Sequence, residues 1–375
     1  MATRVIKVRR PLEVAEAAGQ GARVLASGGL VGFATETVYG IAALASDQEA
    51  MERLRELKSR PVRPFSVHLG RPADAGLYVK DISPAAARMM RRGWPGPLTL
   101  VLPLGGKLAD AALQRAKLYD ELSDHDMIGL RCPDEPVAAA MLSAVKGPVV
   151  APSANLAGKP SPRRAQDVLD AFADRLDLLI DSGPTRYGKD STIVSMTPQA
   201  EYADGWTIVR KGVLDERAIR QMLRRRILFV CSGNTCRSPL AAGLARRLLA
   251  DRIGGVGELR KHGVEVGSAG LYAMSGAKAS PEAVSAAGRY GADISRHRSR
   301  PLTAELIEQA DLVLCMTETH VVEAGRLSPL SADKICRLDS RGDIPDPIGG
   351  GAGVYMKTAE RLERVLKTLT EEGIL

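Results

Sequence analysis

The chain has 375 residues, a formal net charge of +8, 45% hydrophobic, 26% charged and only 4% aromatic residues. That is a soluble globular composition with length for two domains and cores that must be aliphatic, and its positive excess suits anionic partners such as nucleotides, phosphoproteins or RNA. Five irregularly spaced cysteines, Cys132, Cys231, Cys236, Cys315 and Cys336, argue against a secreted disulfide framework and for a reducing compartment.

No window reaches the ~18 apolar residues of a membrane helix. The N-terminal stretch lacks an apolar core of signal-peptide length, and no repeat or low-complexity tract is present. A cytoplasmic protein without a membrane partner is expected. Short apolar runs predict strands at 30–34, 65–69, 98–102, 148–152 and 192–196. Met51, Leu54 and Leu57 recur at near-helical spacing and predict a helix at 48–58. Strands alternating with helices imply an α/β fold.

Polar residues gather at the ends of these runs. "FATETVYGIA" (33–42) carries Thr35, Thr37 and Tyr39, which alternation would aim into one cleft. "LKSRPVRPFSVHL" (57–69) supplies Lys58, Arg60, Arg63 and His68; "APSANLAGKPSP" (151–162) supplies Ser153, Asn155 and Ser161 in a stretch too rich in Pro, Gly and Ser for a helix. Lysine and arginine neutralise phosphate charge while hydroxyls and amides orient it, so the set suits a nucleoside triphosphate.

Taken in order, "GGLVGFATETVYGIA", Lys58-x-Arg60, "RRGWPGPLTLVL", "GLRCPDEPVA", "PSANLAGKPSP", "DSGPTRYGKDSTIV" and "IVRKG", over about 10–212, resemble the YrdC/Sua5 family of threonylcarbamoyl-AMP synthases. The resemblance implies an open twisted mixed sheet with helices. It also implies an enzyme joining L-threonine, bicarbonate and ATP, with Mg2+ on the phosphates, into threonylcarbamoyl-AMP for the t6A modification of tRNA. Thr35, His68, Arg131 and Ser191 would hold threonine, with Arg131 on its carboxylate. Lys58, Arg60, Ser153, Asn155, Ser161 and Arg210 would hold ATP. The partners implied are the tRNA t6A transferase machinery and tRNA itself. The alternative is a double-stranded RNA or nucleotide-binding module without catalysis.

The domain boundary is expected near "VLDERAIRQMLRRR" (213–226), read as a terminal helix whose arginine run is a solvated end. This divides the chain into 1–213, a helical linker at 214–226, and 227–375. Beyond it the pattern is strand 227–230, helix 238–250, strand 263–267, helix 280–290, strand 311–316 and a helix at about 354–371, a doubly wound arrangement.

The second domain opens on "FVCSGNTCRSP" (229–239), a Cys-x5-Arg loop between a buried strand and a helix start. Amides there point outward unpaired and the helix dipole favours an anion. Gly233 and Asn234 tolerate the left-handed backbone that such a curl requires. The Cys231 pKa is expected to fall through the dipole and Arg237, making a nucleophile. Arg237 can fork onto two phosphate oxygens, Ser238 can donate to the sulfur, and Asp346, between Pro345 and Pro347, can serve as the acid for a leaving group. A zinc site is not expected, because Cys231 and Cys236 have no second ligand pair nearby; no metal-ligating residues are expected in either domain, Mg2+ coming with ATP.

Together with "VGSAGL" (266–271), "DISRHRSRPL" (293–302), "ADLVLCMT" (310–317) and "PDP" (345–347), this loop resembles the low-molecular-weight protein phosphatase family over 226–375. The resemblance implies a Rossmann-like parallel four-stranded sheet and a cofactor-free phosphatase acting on phosphorylated proteins. Cys231 is then the nucleophile, Arg237 the phosphate ligand, Asp346 the acid and base, and Ser232, Gly233, Asn234, Thr235, Cys236 and Ser238 the rest of the phosphate loop. Cys236 either packs or forms a reversible disulfide with Cys231. Thr235 and the Ile348-Gly349 pair resemble the protein-arginine phosphatase branch more than the tyrosine branch, whose members carry aromatics after the Asp-Pro.

Overall fold

Strands buried from both sides explain the near-continuous apolar runs. The computed structural model describes residues 2–59, 64–197 and 205–375 and divides into two units, Met1–Leu223 and Arg224–Leu375. Among the described residues no helix is long and apolar enough to cross a membrane.

The first unit is mixed α/β. Its strands are β1 (Arg4–Lys7), β2 (Val31–Ala34), β3 (Tyr39–Leu44), β4 (Val67–His68), β5 (Leu98–Pro103), β6 (Ser123–Asp124), β7 (Met127–Arg131), β8 (Val149–Val150), β9 (Leu178–Asp181), β10 (Thr192–Met196) and β11 (Trp206–Arg210). They form one mixed sheet ordered β1-β9-β2-β3-β8-β4-β7-β5-β10-β11, with β6 on β7. Val31 and Phe33 face a cluster with Ala17, Leu25, Val137 and Met141 from the helices Val14–Ala26 and Pro136–Ala144. Tyr39, Ile41 and Ala43 face the other side, against Met51, Leu54 and Leu57 of the helix Gln48–Lys58. That helix starts on Asp47, whose Oδ1 accepts the Ala50 amide at 2.9 Å, and stops at Ser59 in a left-handed conformation, φ 44°.

Several elements depart from expectation. β8 keeps only two of the five residues 148–152, because Pro148 and Pro152 at its ends cannot donate to a ladder. Residues 35–38 are a turn between β2 and β3, not an alternating strand. Thr35 and Thr37 therefore meet through the turn: their hydroxyls are 2.8 Å apart and Thr35 donates to Val38 O at 2.7 Å. Tyr39 is buried and points elsewhere, its hydroxyl donating to Gly183 O at 2.7 Å. The helix of the expected linker covers only Glu216–Leu223 and packs within the first unit, where Arg88 Nε donates to Leu223 O at 2.9 Å. Arg225 and Arg226 are not a solvated helix end: both lie in a strand, and the Arg226 amide donates to Asp311 Oδ2 at 2.7 Å.

The second unit is a parallel sheet of β12 (Arg225–Cys231), β13 (Val264–Gly270), β14 (Leu312–Cys315) and β15 (Ile335–Arg337) in the order β13-β12-β14-β15. Ile227, Phe229 and Cys231 pack on one face with residues of the helices Arg237–Ile253, Pro281–Arg289 and Ala352–Glu371. Leu228 and Val230 pack on the other with Ile307 and Ala324 of the helices Ala304–Gln309 and Glu318–Leu327. β15 and these last two helices lie outside the predicted pattern. The strand order reverses at β12, with β13 on one side and β14 on the other, which makes its C-terminal end, at Cys231, the switch point where parallel α/β sheets bind ligands.

Candidate active sites

In the first unit, a cleft of about 670 Å³ is lined by Lys58, His68, Thr99, Arg131, Ser153, Asn155, Asp190, Ser191 and Arg210 among others. Its described lining carries Lys58, Arg131 and Arg210 against one carboxylate, Asp190, a positive excess of the kind that suits an anion. Arg131 ends β7 and is buried. Its Nη2 donates to Glu36 Oε1 at 2.8 Å, Thr37 Oγ1 at 2.6 Å and Thr35 Oγ1 at 3.3 Å, while Nε has no hydrogen-bond partner among the described residues. Glu36, also buried, accepts the Asp134 amide at 2.9 Å. Thr35 thus sits behind Arg131 and positions it, and does not line the cleft itself.

Burial and the neighbouring Arg131 charge push the His68 pKa down to about 3, so its ring is neutral. Nδ1 lies 3.1 Å from Ser66 O, which can only accept; Nδ1 therefore carries the proton and Nε2 is an acceptor. Lys58 Nζ donates to Ser153 O at 2.7 Å, to Asn155 Oδ1 at 3.2 Å and to Asn155 O. The lysine at the end of its helix so fastens the proline-rich loop to the cleft wall. Arg210 Nη2 donates to Ser191 Oγ at 3.0 Å, and Ser191 Oγ is 2.8 Å from Thr99 Oγ1. Ser161 reaches the cleft only through Asp190, to which it donates at 2.9 Å. Arg60 and Arg63 lie outside the described residues.

In the second unit, Cys231 ends β12 and Arg237 begins the next helix. Between them Asn234 adopts a left-handed backbone, φ 55°, and its amide donates to Cys231 Sγ at 3.2 Å. The Asn234 side chain holds the curl: Nδ2 donates to Ser238 Oγ at 2.8 Å and Ser268 Oγ at 2.9 Å, and Oδ1 accepts the Arg300 amide at 3.0 Å. Ser238 Oγ stands 3.0 Å from Cys231 Sγ. Gly270 lets β13 approach; a Cβ there would lie 2.5 Å from Ser232 O and 2.8 Å from the Asn234 nitrogen. Arg237 Nη1 donates to Ile344 O at 3.1 Å, and Nη2 donates to Ser232 Oγ at 3.2 Å and pairs with the Asp346 carboxylate. Thiol, guanidinium and carboxylate, 115 positions apart at the extremes, thus meet at one strand end.

The expected fall in the Cys231 pKa is not found. Burial pushes the thiol up, and this outweighs the hydrogen bonds from Ser238 and Asn234 and the charge of Arg237. The physical reason is desolvation: a thiolate this deeply buried loses more than the dipole, the hydrogen bonds and Arg237 return to it. All five cysteines are free; Cys236 Sγ lies 3.2 Å from Tyr355 Oη. Three contributors escaped the sequence reading. His320, buried, contacts Ser232. Tyr272 is 72% exposed while its amide donates to Ser232 O at 2.9 Å, so an aromatic stands at the loop's edge. His297 Nε2 donates to Asn234 O at 2.7 Å. The "VGSAGL", "DISRHRSRPL" and "ADLVLCMT" stretches flagged their neighbourhoods but not these residues.

Residues 23–212 match a family model for Sua5, YciO and YrdC, described as Telomere recombination, and residues 226–373 match one described as Low molecular weight phosphotyrosine protein phosphatase. A threonylcarbamoyl-AMP synthase of Pyrococcus abyssi is 35% identical over 199 residues, covering 52% of this chain and 55% of that protein. Its namesake in Bacillus subtilis is 38% identical over 180 residues, covering 47% of this chain and 49% of that protein. The chain thus spans about half the length of these two relatives. A protein-arginine-phosphatase of Bacillus subtilis is 40% identical over 151 residues, covering 39% of this chain and 95% of that protein.

Proposed function

The chain belongs to the Sua5/YciO/YrdC family over residues 23–212 and to the low molecular weight phosphotyrosine protein phosphatase family over residues 226–373, and on that premise we propose a bifunctional cytoplasmic enzyme. The first half forms threonylcarbamoyl-AMP and pyrophosphate from L-threonine, bicarbonate and ATP, and supplies the tRNA t6A transferase machinery. The second half hydrolyses protein phosphoarginine, with phosphotyrosine the alternative.

For the first half, the supporting observation is the cleft that brings Lys58, Ser153, Asn155 and Arg210 beside His68, Arg131 and Ser191. Arg131, fixed by Glu36 and Thr37, takes the threonine carboxylate, and neutral His68 offers Nε2 to the threonine hydroxyl. The amine adds to CO2 from bicarbonate, the hydroxide that bicarbonate releases taking the amine proton and leaving as water; a carbamate oxygen then forms a bond to the α-phosphorus as the bond from that phosphorus to the pyrophosphate oxygen breaks. Lys58 and Arg210 screen the phosphates, Mg2+ arrives on them, and proximity supplies the rate without an acid–base residue. Lys58, His68, Arg131, Ser191 and Arg210 converging on one cleft suit this chemistry better than an RNA groove.

For the second half, the supporting observation is Cys231, Arg237 and Asp346 meeting at the end of β12. A substrate phosphoryl group takes the guanidinium from Asp346. That frees the carboxylate to take the Cys231 thiol proton and pass it to the leaving nitrogen or oxygen, and turns the Arg237 charge towards phosphate and sulfur. The Cys231 Sγ–P bond forms as the P–N or P–O bond breaks. Asp346 then takes a proton from the water that attacks phosphorus, and Ser238 donates to the departing sulfur. Thr235 offers a hydroxyl to a guanidinium N–H, which favours phosphoarginine. Wild-type protein should release pyrophosphate only with threonine and bicarbonate present, and should dephosphorylate phosphoarginine protein. Absence of either turnover removes that half of the proposal. Thr235→Ile should lower arginine-phosphate activity relative to tyrosine phosphate; an unchanged ratio defeats the specificity assignment.

A further inference from the structure

Two histidine side chains meet the second unit's phosphate loop among the described residues, His297 at Asn234 and His320 at Ser232, and His320 is the buried one. It lies in the first turn of Glu318–Leu327, where Thr317 Oγ1 accepts its amide at 3.2 Å. The same helix start is tied to the acid-bearing loop, since Asp343 Oδ1 accepts the Glu318 amide at 3.0 Å. His320 Nε2 is 2.9 Å from Ser232 Oγ, and Ser232 Oγ also accepts Arg237 Nη2 at 3.2 Å. His320 Nδ1 is buried with no partner among the described residues.

We propose that His320 is a positioning residue of the phosphatase site, acting through Ser232 on Arg237 and on the substrate phosphoryl group; this rests on the phosphatase reading above. The tautomer follows from the buried Nδ1. A proton there would be an orphaned donor, the costlier arrangement, so Nε2 carries it and donates to Ser232. Burial and the nearby Arg237 charge lower the His320 pKa, which keeps the ring neutral with one proton to place. Ser232 Oγ then receives two donors, His320 Nε2–H and Arg237 Nη2–H. A hydroxyl oxygen has two acceptor sites. With both filled, the Ser232 hydrogen must point away from His320 and Arg237, and, with no acceptor for it among the described residues, it is free for one entering the loop. The serine becomes a donor aimed at a phosphoryl oxygen, and the histidine is what aims it. Neither residue exchanges a proton with substrate.

The test uses the full chain and four variants: His320→Leu, His320→Gln, Ser232→Ala and the His320→Leu/Ser232→Ala double. The readouts are kcat and KM on p-nitrophenyl phosphate and the affinity for inorganic vanadate by calorimetry. His320→Leu should weaken vanadate binding and lower kcat/KM about tenfold, the effect of one hydrogen bond to a charged ligand. His320→Gln, which retains an N–H at similar reach, should recover most of it. The double variant should be no worse than Ser232→Ala alone. A merely structural histidine would instead give additive losses and no rescue by glutamine, and that pattern, or wild-type vanadate affinity in His320→Leu, overturns the proposal. If wild type lacks turnover, the phosphatase reading fails, while the vanadate affinities of the same variants still decide the positioning role.

Discussion

Asn234→Ala is the substitution whose effect can be worked out most fully. The side chain is fully buried and makes three hydrogen bonds, to Ser238, Ser268 and the Arg300 amide. At about 1 kcal/mol net for each bond, their loss costs about 3 kcal/mol. Asn234 also sits at φ 55°, where alanine pays about 1 kcal/mol more than asparagine for a left-handed backbone. The sum is about 4 kcal/mol, enough to lower the melting midpoint of a unit this size by roughly 10 °C. Ser268→Ala removes one of the three bonds and should cost about 1 kcal/mol. The assay is thermal unfolding of the full chain followed by circular dichroism. Tryptophan fluorescence serves as the reference for the first unit, because both tryptophans, Trp94 and Trp206, lie there. An Asn234→Ala midpoint no lower than that of Ser268→Ala would refute the assignment of Asn234 as the tie that shapes the loop.

Asp346→Asn should lower the pH midpoint of Cys231 alkylation by iodoacetamide, because it unmasks the Arg237 charge beside a thiol that burial has pushed up; an unchanged or higher midpoint contradicts the neutralisation. Folding depresses the His68 pKa from the ordinary 6.5 to about 3, so the unfolded chain binds a proton that the folded unit does not. The stability that neutral His68 contributes is complete above about pH 6.5 and is lost at about 1.4 kcal/mol per pH unit towards pH 3. His68→Asn should flatten the acid limb of the first unit's urea-unfolding stability, and an identical limb in both proteins speaks against a neutral buried ring. Glu36→Gln loosens Arg131 and should raise the KM for threonine at least tenfold while the KM for ATP moves little; equal changes in both would place Glu36 outside threonine recognition.

Local chemistry made much of this legible. Cys231 and Arg237 are six residues apart on a strand-loop-helix, so apolar run, loop residues and helix start could be read together. The helix Gln48–Lys58 followed from its 3.6-residue period, and Lys58 arrives in the cleft because that helix ends there. What escaped reading depends on separation along the chain. Glu36 meets Arg131 across 95 positions and Ser232 meets His320 across 88, and no spacing rule links such pairs. The Cys231 pKa went the other way because burial, built by helices from distant parts of the chain that pack around β12, outweighs the local help from Ser238, Asn234 and Arg237. β15 is three residues long and pairs only with β14, too short to register as an apolar run.

Two independent active sites on one chain are tested most directly by crossing two lesions with two assays. Cys231→Ser should abolish hydrolysis of phosphoarginine protein and leave threonine- and bicarbonate-dependent pyrophosphate release intact; Lys58→Ala should do the reverse. Phosphatase turnover surviving in Cys231→Ser, or pyrophosphate release surviving in Lys58→Ala, would contradict the assignment of chemistry to these residues.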